Sequence, residues 1–109
     1  MMRANTWILM LAGLLALFVG GADAASSRET RVAISQFTFR PAVVSVAAGD
    51  SVTWVNEDAE EHTVTATDRS YTSAGLEPAE TFSHRFTAPG TYQYFCALHP
   101  HMTATVVVK

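Results

Sequence analysis

The sequence predicts an all-β domain, a Greek-key antiparallel β-sandwich that is preceded by an N-terminal signal peptide. From Arg31 onward, short apolar–polar alternations follow one another, with the period of half-buried strands. Turn signals such as Ala48-Gly49-Asp50 and Pro89-Gly90 separate these stretches. No stretch of this region has the 3.6-residue period of an amphipathic helix. Short strands divided by turns are typical of two packed antiparallel sheets.

The predicted strands are set by where the alternation begins and ends. The stretch 51–56 places Val52 and Trp54 on one face, as expected of a strand with one buried side. The stretch 68–80 contains Gly75 and Pro78 without a periodic pattern, so we interpret it as a loop. In chain order, the predicted strands cover residues 32–34, 37–39, 43–46, 51–56, 62–67, 81–86, 91–95 and 103–108.

The same alternation predicts which side chains face the core. Large aromatic side chains at inward positions are expected to form it, namely Trp54, Phe82, Phe86, Tyr92 and Tyr94. His84 has the parity of Phe82 and Phe86, which predicts a half-buried imidazole in the sheet. Cys96 has the parity of Tyr92 and Tyr94, which predicts a thiol that points inward at the end of its strand.

The first 24 residues have the pattern of a signal peptide. Arg3 supplies a positive start, residues 7–21 are apolar, and Ala22-Asp23-Ala24 ends the run with small residues at the cleavage positions. Cleavage there leaves one domain, residues 25–109, in the periplasm and without stable insertion in the membrane. An uncleaved membrane anchor is the alternative, but the apolar run is shorter than the roughly 20 residues that a spanning helix needs.

Composition narrows the possible partners and the role of the cysteine. Seven basic and ten acidic residues give a net charge of −3, and without a basic patch nucleic acid is not an expected partner. Cys96 is the only cysteine, so it has no intramolecular disulfide partner. A lone thiol in an oxidising compartment is explained by intermolecular pairing, reactivity or metal ligation. A structural thiol is the alternative to all three.

Three metal donors of different chemistry lie three residues apart near the C-terminus: Cys96, His99 and Met102. His62 lies upstream and can provide a second imidazole. Two imidazoles, one thiolate and a weak axial thioether form the electron-transfer arrangement for copper. Met102 is also the only methionine after residue 24, whereas a core that uses methionine as filler would scatter several. These four residues are therefore the predicted copper ligands.

With these motifs, the chain resembles the cupredoxin (type 1 blue copper) family. The resemblance rests on residues 49–56 before His62, on residues 89–96, and on the short Cys-x2-His-x2-Met loop, which is similar to that of amicyanin-like members and shorter than the plastocyanin loop. It implies one type 1 copper per chain and single-electron transfer. It also implies that Asn56 ties the two ligand loops together by hydrogen bonds. The chain departs from the family pattern at Thr63, often asparagine, and at His101, often apolar.

The resemblance makes a periplasmic electron shuttle the leading hypothesis, a carrier and not an enzyme. The expected partners are redox proteins such as a c-type cytochrome, a dehydrogenase or an oxidase, and the chain is expected to be a monomer. The alternative is a copper delivery or storage protein, which His101 favours as an additional imidazole near the site. A thiol-dependent enzyme would instead use Cys96 without metal. The acidic run at residues 57–61 is either a solvated loop or a rim that steers a positively charged partner.

Overall fold

In the computed structural model, residues 26–109 are described, and the predicted signal peptide lies outside them. The described chain forms eight strands and no helix. The strands are β1 (Glu29–Ser35), β2 (Thr38–Arg40), β3 (Val43–Val46), β4 (Ser51–Asn56), β5 (Thr65–Ala66), β6 (Thr81–Arg85), β7 (Gly90–Cys96) and β8 (His99–Val108). Within this part of the chain there is no helix long and apolar enough to cross a membrane.

The strands form two four-stranded sheets that face each other. One sheet has the order β2-β1-β4-β6 and the other the order β3-β8-β7-β5. The predicted all-β sandwich is therefore confirmed, although the sheets are mixed and not wholly antiparallel. β1 pairs with β4 in parallel, and β3 pairs with β8 in parallel. Both pairings join strands that are distant in the chain, and alternation along one strand does not indicate the direction of its neighbour.

The core lies between the sheets and is rich in aromatic rings. Trp54 on β4 and Tyr94 on β7 are fully enclosed and meet edge-on, with ring centroids 5.3 Å apart. Phe86 is also buried, while Phe82 and Tyr92 pack against the core from its margin. All five predicted core aromatics thus contribute to it. Burial of such rings is the main stabilising term for a domain of this size.

His84 is half-buried, as its parity predicts. Its imidazole stacks on Tyr71, with ring centroids 4.3 Å apart and planes inclined by 20°. Tyr71 comes from the segment between β5 and β6 and closes the aromatic core on that side. Partial burial lowers the pKa of His84, so the neutral ring is favoured in this stack.

The chain crosses from one sheet to the other between β4 and β5, and this crossover is more irregular than the alternation predicts. The predicted strand at 62–67 is reduced to Thr65–Ala66, and His62 instead forms an isolated bridge with Leu76. His62 and Leu76 exchange two backbone hydrogen bonds, of 3.1 and 2.7 Å. The crossover is thereby fixed at one end of the sandwich, beside the ends of β7 and β8.

Candidate metal centre

Three of the four predicted ligands converge at this end of the sandwich. The potential donor atoms of His62, Cys96 and His99 all lie within 4.8 Å of one another. Cys96 Sγ is 3.8 Å from Nδ1 of His62 and 3.7 Å from Nδ1 of His99. Both imidazoles therefore present the same type of nitrogen to one buried sulfur.

The β7–β8 hairpin places the donors that are close in sequence. Cys96 ends β7 and pairs with His99, the first residue of β8, across a tight connection. The register shifts between Phe95 and Cys96, and a bulge of this kind redirects a side chain. Cys96 is completely buried, as its parity predicts, whereas the His99 ring is partly exposed.

Met102 lies on β8, three residues beyond His99. Its side chain is 3% exposed and belongs to the buried cluster between the sheets. Inward positions of β8 continue from it to Ala104, Val106 and Val108, so Met102 begins the core-facing row of the strand. As the first residue of this row, Met102 lies below the surface at the end of the sandwich where the other donors lie.

Asp58 fixes the orientation of His62. Its Oδ2 atom lies 2.9 Å from Nε2 of His62. Burial alone would raise the pKa of Asp58, but hydrogen bonds from the backbone N–H groups of Phe37 and Gln36 and from His62 together lower it. The ionised carboxylate only accepts hydrogen bonds, so Nε2 of His62 is the donor in this contact and Nδ1 is the nitrogen that faces the sulfur.

Phe37 packs against both imidazoles. Its ring meets His62 edge-on at a centroid distance of 4.9 Å and His99 at 4.8 Å. The residue lies in the β1–β2 turn, where Gln36 and Phe37 both have positive φ angles, 56° and 57°. This conformation directs both backbone N–H groups at Asp58, with distances of 2.7 and 2.9 Å. One carboxylate thus holds the turn that packs on both rings.

The link between the two ligand loops is made by Thr63. Its hydroxyl accepts a 2.7 Å hydrogen bond from the backbone N–H of Ala97, and its own N–H donates to Cys96 Sγ at 3.3 Å. Asn56 does not make this link, contrary to what the resemblance implied. The Asn56 amide instead donates to the carbonyl groups of Glu60 and Leu76, both at 2.8 Å, and braces the crossover before His62.

Asp58, Phe37 and Thr63 were not predicted to contribute to the site. Asp58 lies in the acidic run at 57–61, where composition alone does not distinguish an inward carboxylate from solvated ones. Its spacing of four residues before His62 is the only local signal. Phe37 is brought in by the pairing of β1 with β4, which the sequence pattern does not show.

The remaining candidate, His101, is exposed on β8. Its ring centroid is 6.5 Å from that of His99. It is not among the three residues whose donor atoms cluster. His101 therefore forms part of the outer surface next to the site.

The donor set fits copper. A buried cysteine sulfur and two imidazole nitrogens provide the mixed soft and borderline ligands that suit both copper oxidation states. The amide of Thr63 also stabilises negative charge on the sulfur. Of the explanations for a lone thiol, intermolecular pairing and reactivity both need an accessible sulfur. Cys96 is inaccessible to solvent, which favours metal ligation.

Comparison with known proteins confirms the predicted fold and the predicted cofactor. The chain is 34% identical over 119 residues to amicyanin-alpha of Methylorubrum extorquens, covering 99% of this chain and 100% of that protein. It is 38% identical over 82 residues to a chloroplastic plastocyanin of Tetradesmus obliquus, covering 65% of this chain and 55% of the other. Among solved structures, a methionine-to-glutamine mutant of amicyanin with Cu(I) superposes with a TM-score of 0.71 and 29% identity, over 74% of this chain and 82% of that one.

The family assignment rests on nearly the whole chain. A family model described as a cupredoxin-like domain matches residues 7–108. This range includes both sheets, the crossover and all four predicted ligands. The resemblance found in the motifs is thereby confirmed, and the chain belongs to the cupredoxin-like domain family.

Proposed function

We propose that this chain is a periplasmic electron-transfer protein that carries one type 1 copper and shuttles single electrons between redox proteins. The observation that supports it most directly is the convergence of the His62, Cys96 and His99 donor atoms within 4.8 Å, with His62 and Cys96 buried. The cupredoxin-like family of the chain supports the electron-transfer part of this proposal. Copper, when bound, supplies a one-electron exchange between its Cu(I) and Cu(II) states.

We assign four ligands. The Nδ1 atoms of His62 and His99 and the sulfur of Cys96 form the trigonal set, and the Met102 sulfur is the weak axial ligand. The support for Met102 is its burial at the start of the inward row of β8 and its spacing after His99. The scaffold contributes rigidity, because Asp58 holds His62 and Thr63 holds the Cys96 loop.

Electrons enter and leave at the edge of His99. This is the only trigonal ligand that is not fully buried. Leu98, which is 50% exposed, and the exposed Pro100 flank it. A small apolar surface around a partly exposed ligand favours brief docking, as transient redox contacts require. This role makes the chain a carrier and not an enzyme.

Two further features support the proposed site of action and the proposed oligomeric state. The pattern of residues 1–24 supports export to the periplasm. Among residues 26–109, Val43 and Leu98 are the large apolar side chains that are exposed, and two separate side chains are too few for a stable dimer interface. The domain therefore acts as a monomer.

The partner is a positively charged redox protein, such as a c-type cytochrome. Glu57, Glu60 and Glu61 are exposed on the crossover that leads to His62, whereas Asp58 is turned inward. Three carboxylates near the docking surface attract a positive partner over a distance that salt shortens. The bimolecular transfer rate should therefore decrease as ionic strength rises. A variant with all three glutamates changed to glutamine should lose most of this dependence, and a salt-independent wild-type rate would contradict the steering role.

Copper delivery is the second candidate, and the position of His101 favours it. Its exposed imidazole lies next to His99, where it could receive an ion that leaves the site. This role predicts copper that exchanges readily with a chelator. It also predicts slow electron self-exchange, whereas a shuttle retains copper and exchanges electrons fast.

Visible and EPR spectra after addition of Cu(II) test the proposed function, with Cys96→Ser as the control. We expect an intense blue band and narrow copper hyperfine splitting that the control lacks, because both arise from the thiolate ligand. A pale spectrum with ordinary splitting would mean that copper binds elsewhere, for example at His99 and His101. In that case the delivery role would replace electron transfer.

A further inference from the structure

A file of hydroxyl groups leads from the Cys96 loop to the protein surface. The Ala97 N–H is 2.7 Å from the Thr63 hydroxyl, which is 3.0 Å from that of Thr65. The Thr65 hydroxyl is 3.0 Å from that of Thr72, which is 3.2 Å from the carbonyl oxygen of Ser73. We call the three threonines the hydroxyl relay.

The direction of the bonds in the relay is fixed by its two ends. The Ala97 amide can only donate and the Ser73 carbonyl can only accept. Each of the three hydroxyls has one hydrogen, so each must accept from the side of Ala97 and donate towards Ser73. While the Thr63 hydrogen points towards Thr65, the lone pairs of the Thr63 oxygen are left to face Ala97, so the bond to Thr65 sets the orientation of this acceptor.

The relay is built by the irregular crossover. Thr63 and Thr65 alternate along one side of it, and Thr72 faces Thr65 in an isolated antiparallel bridge. Thr63 and Thr65 are buried, with 8% and 4% exposure, while Thr72 is exposed. A buried hydroxyl without a partner costs about 1–3 kcal/mol. The buried hydroxyls of Thr63 and Thr65 therefore each need the next hydroxyl towards the surface as an acceptor.

We propose that Thr65 and Thr72 are positioning residues for the copper thiolate, although neither touches a donor atom. They orient the Thr63 hydroxyl, which holds the Ala97 amide and so the chain directly after Cys96. The same residue donates its N–H to Cys96 Sγ, so the relay also fixes the length of this amide–sulfur bond. The copper part of this inference rests on the proposed function, while the loop part stands on the apoprotein alone.

The first test is hydrogen exchange of the Ala97 amide in the apoprotein. Thr65→Val keeps the shape of the side chain but removes the middle hydroxyl, so the Thr63 hydrogen loses its acceptor. We expect exchange of the Ala97 amide to become about five- to tenfold faster, the factor for one net hydrogen bond. Thr65→Ser should restore it. Thr67→Val, an exposed threonine two residues along, should leave exchange unchanged.

The second test is the copper-loaded protein. Loss of the relay lengthens the Thr63 amide–sulfur bond, so the thiolate becomes a stronger donor to Cu(II). Thr65→Val should therefore shift the blue band and lower the reduction potential, and Thr65→Ser should not. The exposed Thr72→Val variant should cause smaller shifts of the same sign, and it serves if the buried variant fails to fold.

The outcomes separate this inference from the proposed function. Unchanged Ala97 exchange in Thr65→Val and in Thr72→Val would overturn the relay. Faster exchange with an unchanged blue band and potential would overturn its role in positioning the thiolate. The third outcome is faster exchange in the apoprotein variants together with no blue band from the copper-loaded wild type. It would support the relay as a device that holds the loop, and it would overturn only the electron-transfer function.

Discussion

At the scale of single residues, Met102 is the proposed ligand that is assigned from its burial and from its spacing after His99. The three clustered donors are two imidazoles and one thiol, and the proposed ligand Met102 would add a thioether from the core side. A weak axial sulfur affects the energy of the two copper states more than it affects retention of the metal. Its contribution is therefore visible in the potential.

Replacement of Met102 by leucine tests this assignment. The leucine side chain has a similar volume and is tolerated in the core, so the variant should fold and bind copper. The reduction potential should rise, because a donor that favours Cu(II) is removed. Protein-film or solution voltammetry measures this change. An unchanged potential in a fully loaded variant would show that Met102 is core only.

The ligand types could be predicted from sequence, but the residues that orient them could not. Cys96, His99 and Met102 are informative because donors of rare types occur at regular spacing. Thr63 is a common residue, and its importance arises from its distance to Ala97, a residue 34 positions away. Asp58 is similarly one of several carboxylates in a run, and only the positive φ angles of the β1–β2 turn explain why it points inward.

At the scale of elements, the β1–β2 turn is joined to the crossover by a single carboxylate. Asp58 accepts hydrogen bonds from Gln36, Phe37 and His62. The two backbone donors are in left-handed conformations that side chains adopt at some cost. The turn and the ligand loop are thus expected to be stable together and to loosen together.

Substitution of Asp58 by asparagine measures this coupling. The amide keeps one oxygen, but its NH2 group faces a donor, so at least one of the three bonds is lost. We expect the apoprotein to lose about 1–3 kcal/mol of unfolding free energy, measured by urea titration. Glu57→Gln, an exposed neighbour, should change it by less than about 0.5 kcal/mol. Equal effects of the two substitutions would contradict the coupling.

The elements themselves were predicted best where alternation is regular. β4 has the bounds expected from its pattern, residues 51–56. β8 begins at His99 instead of residue 103, because beyond a register shift His99 pairs again with Cys96 at the end of β7. The stretch 62–67 alternates in sequence, but the isolated bridge of His62 with Leu76 and the bonds of Asn56 hold it in a different shape.

At the scale of the whole molecule, Asp50 connects its own turn to two distant parts of the chain. Its carboxylate accepts hydrogen bonds from the backbone N–H groups of Arg28, at 2.9 Å, and Ala47, at 3.0 Å. Its carbonyl accepts from Phe86 at 2.8 Å. The bonds from Arg28 and Ala47 lower the pKa of Asp50 below its ordinary value of 3.8. The ionised carboxylate is thus favoured in the folded state.

This shift predicts a loss of stability in acid. Because the folded-state pKa is lowered, the contribution of Asp50 is complete above the unfolded-state value and is lost as pH falls through the folded-state value. The urea midpoint should therefore decrease below about pH 4. Asp50→Asn should be less stable at neutral pH and should have a weaker pH dependence. If the urea midpoint of Asp50→Asn depends on pH as that of the wild type does, the loss of stability in acid comes from other carboxylates.

The sandwich was predicted from alternation and turns, but the direction of its pairings was not. Alternation shows which face of β1 is buried, and it is the same whether the neighbour runs parallel or antiparallel. The parallel partners β1 and β4, and β3 and β8, are joined by long-range contacts. These pairings bring the β1–β2 turn and the crossover to the same end of the molecule, where the metal centre forms.

The position of the donors on the chain has a consequence for how a newly made molecule matures. Cys96, His99 and Met102 come together as soon as the β7–β8 hairpin closes, which is a local and fast event. His62 must arrive across a long loop, and its docking needs both sheets to be aligned. Non-local pairings of this kind form slowly. We therefore expect a newly made chain to expose the donors of this hairpin, to the wrong metal or to oxidation, until His62 arrives.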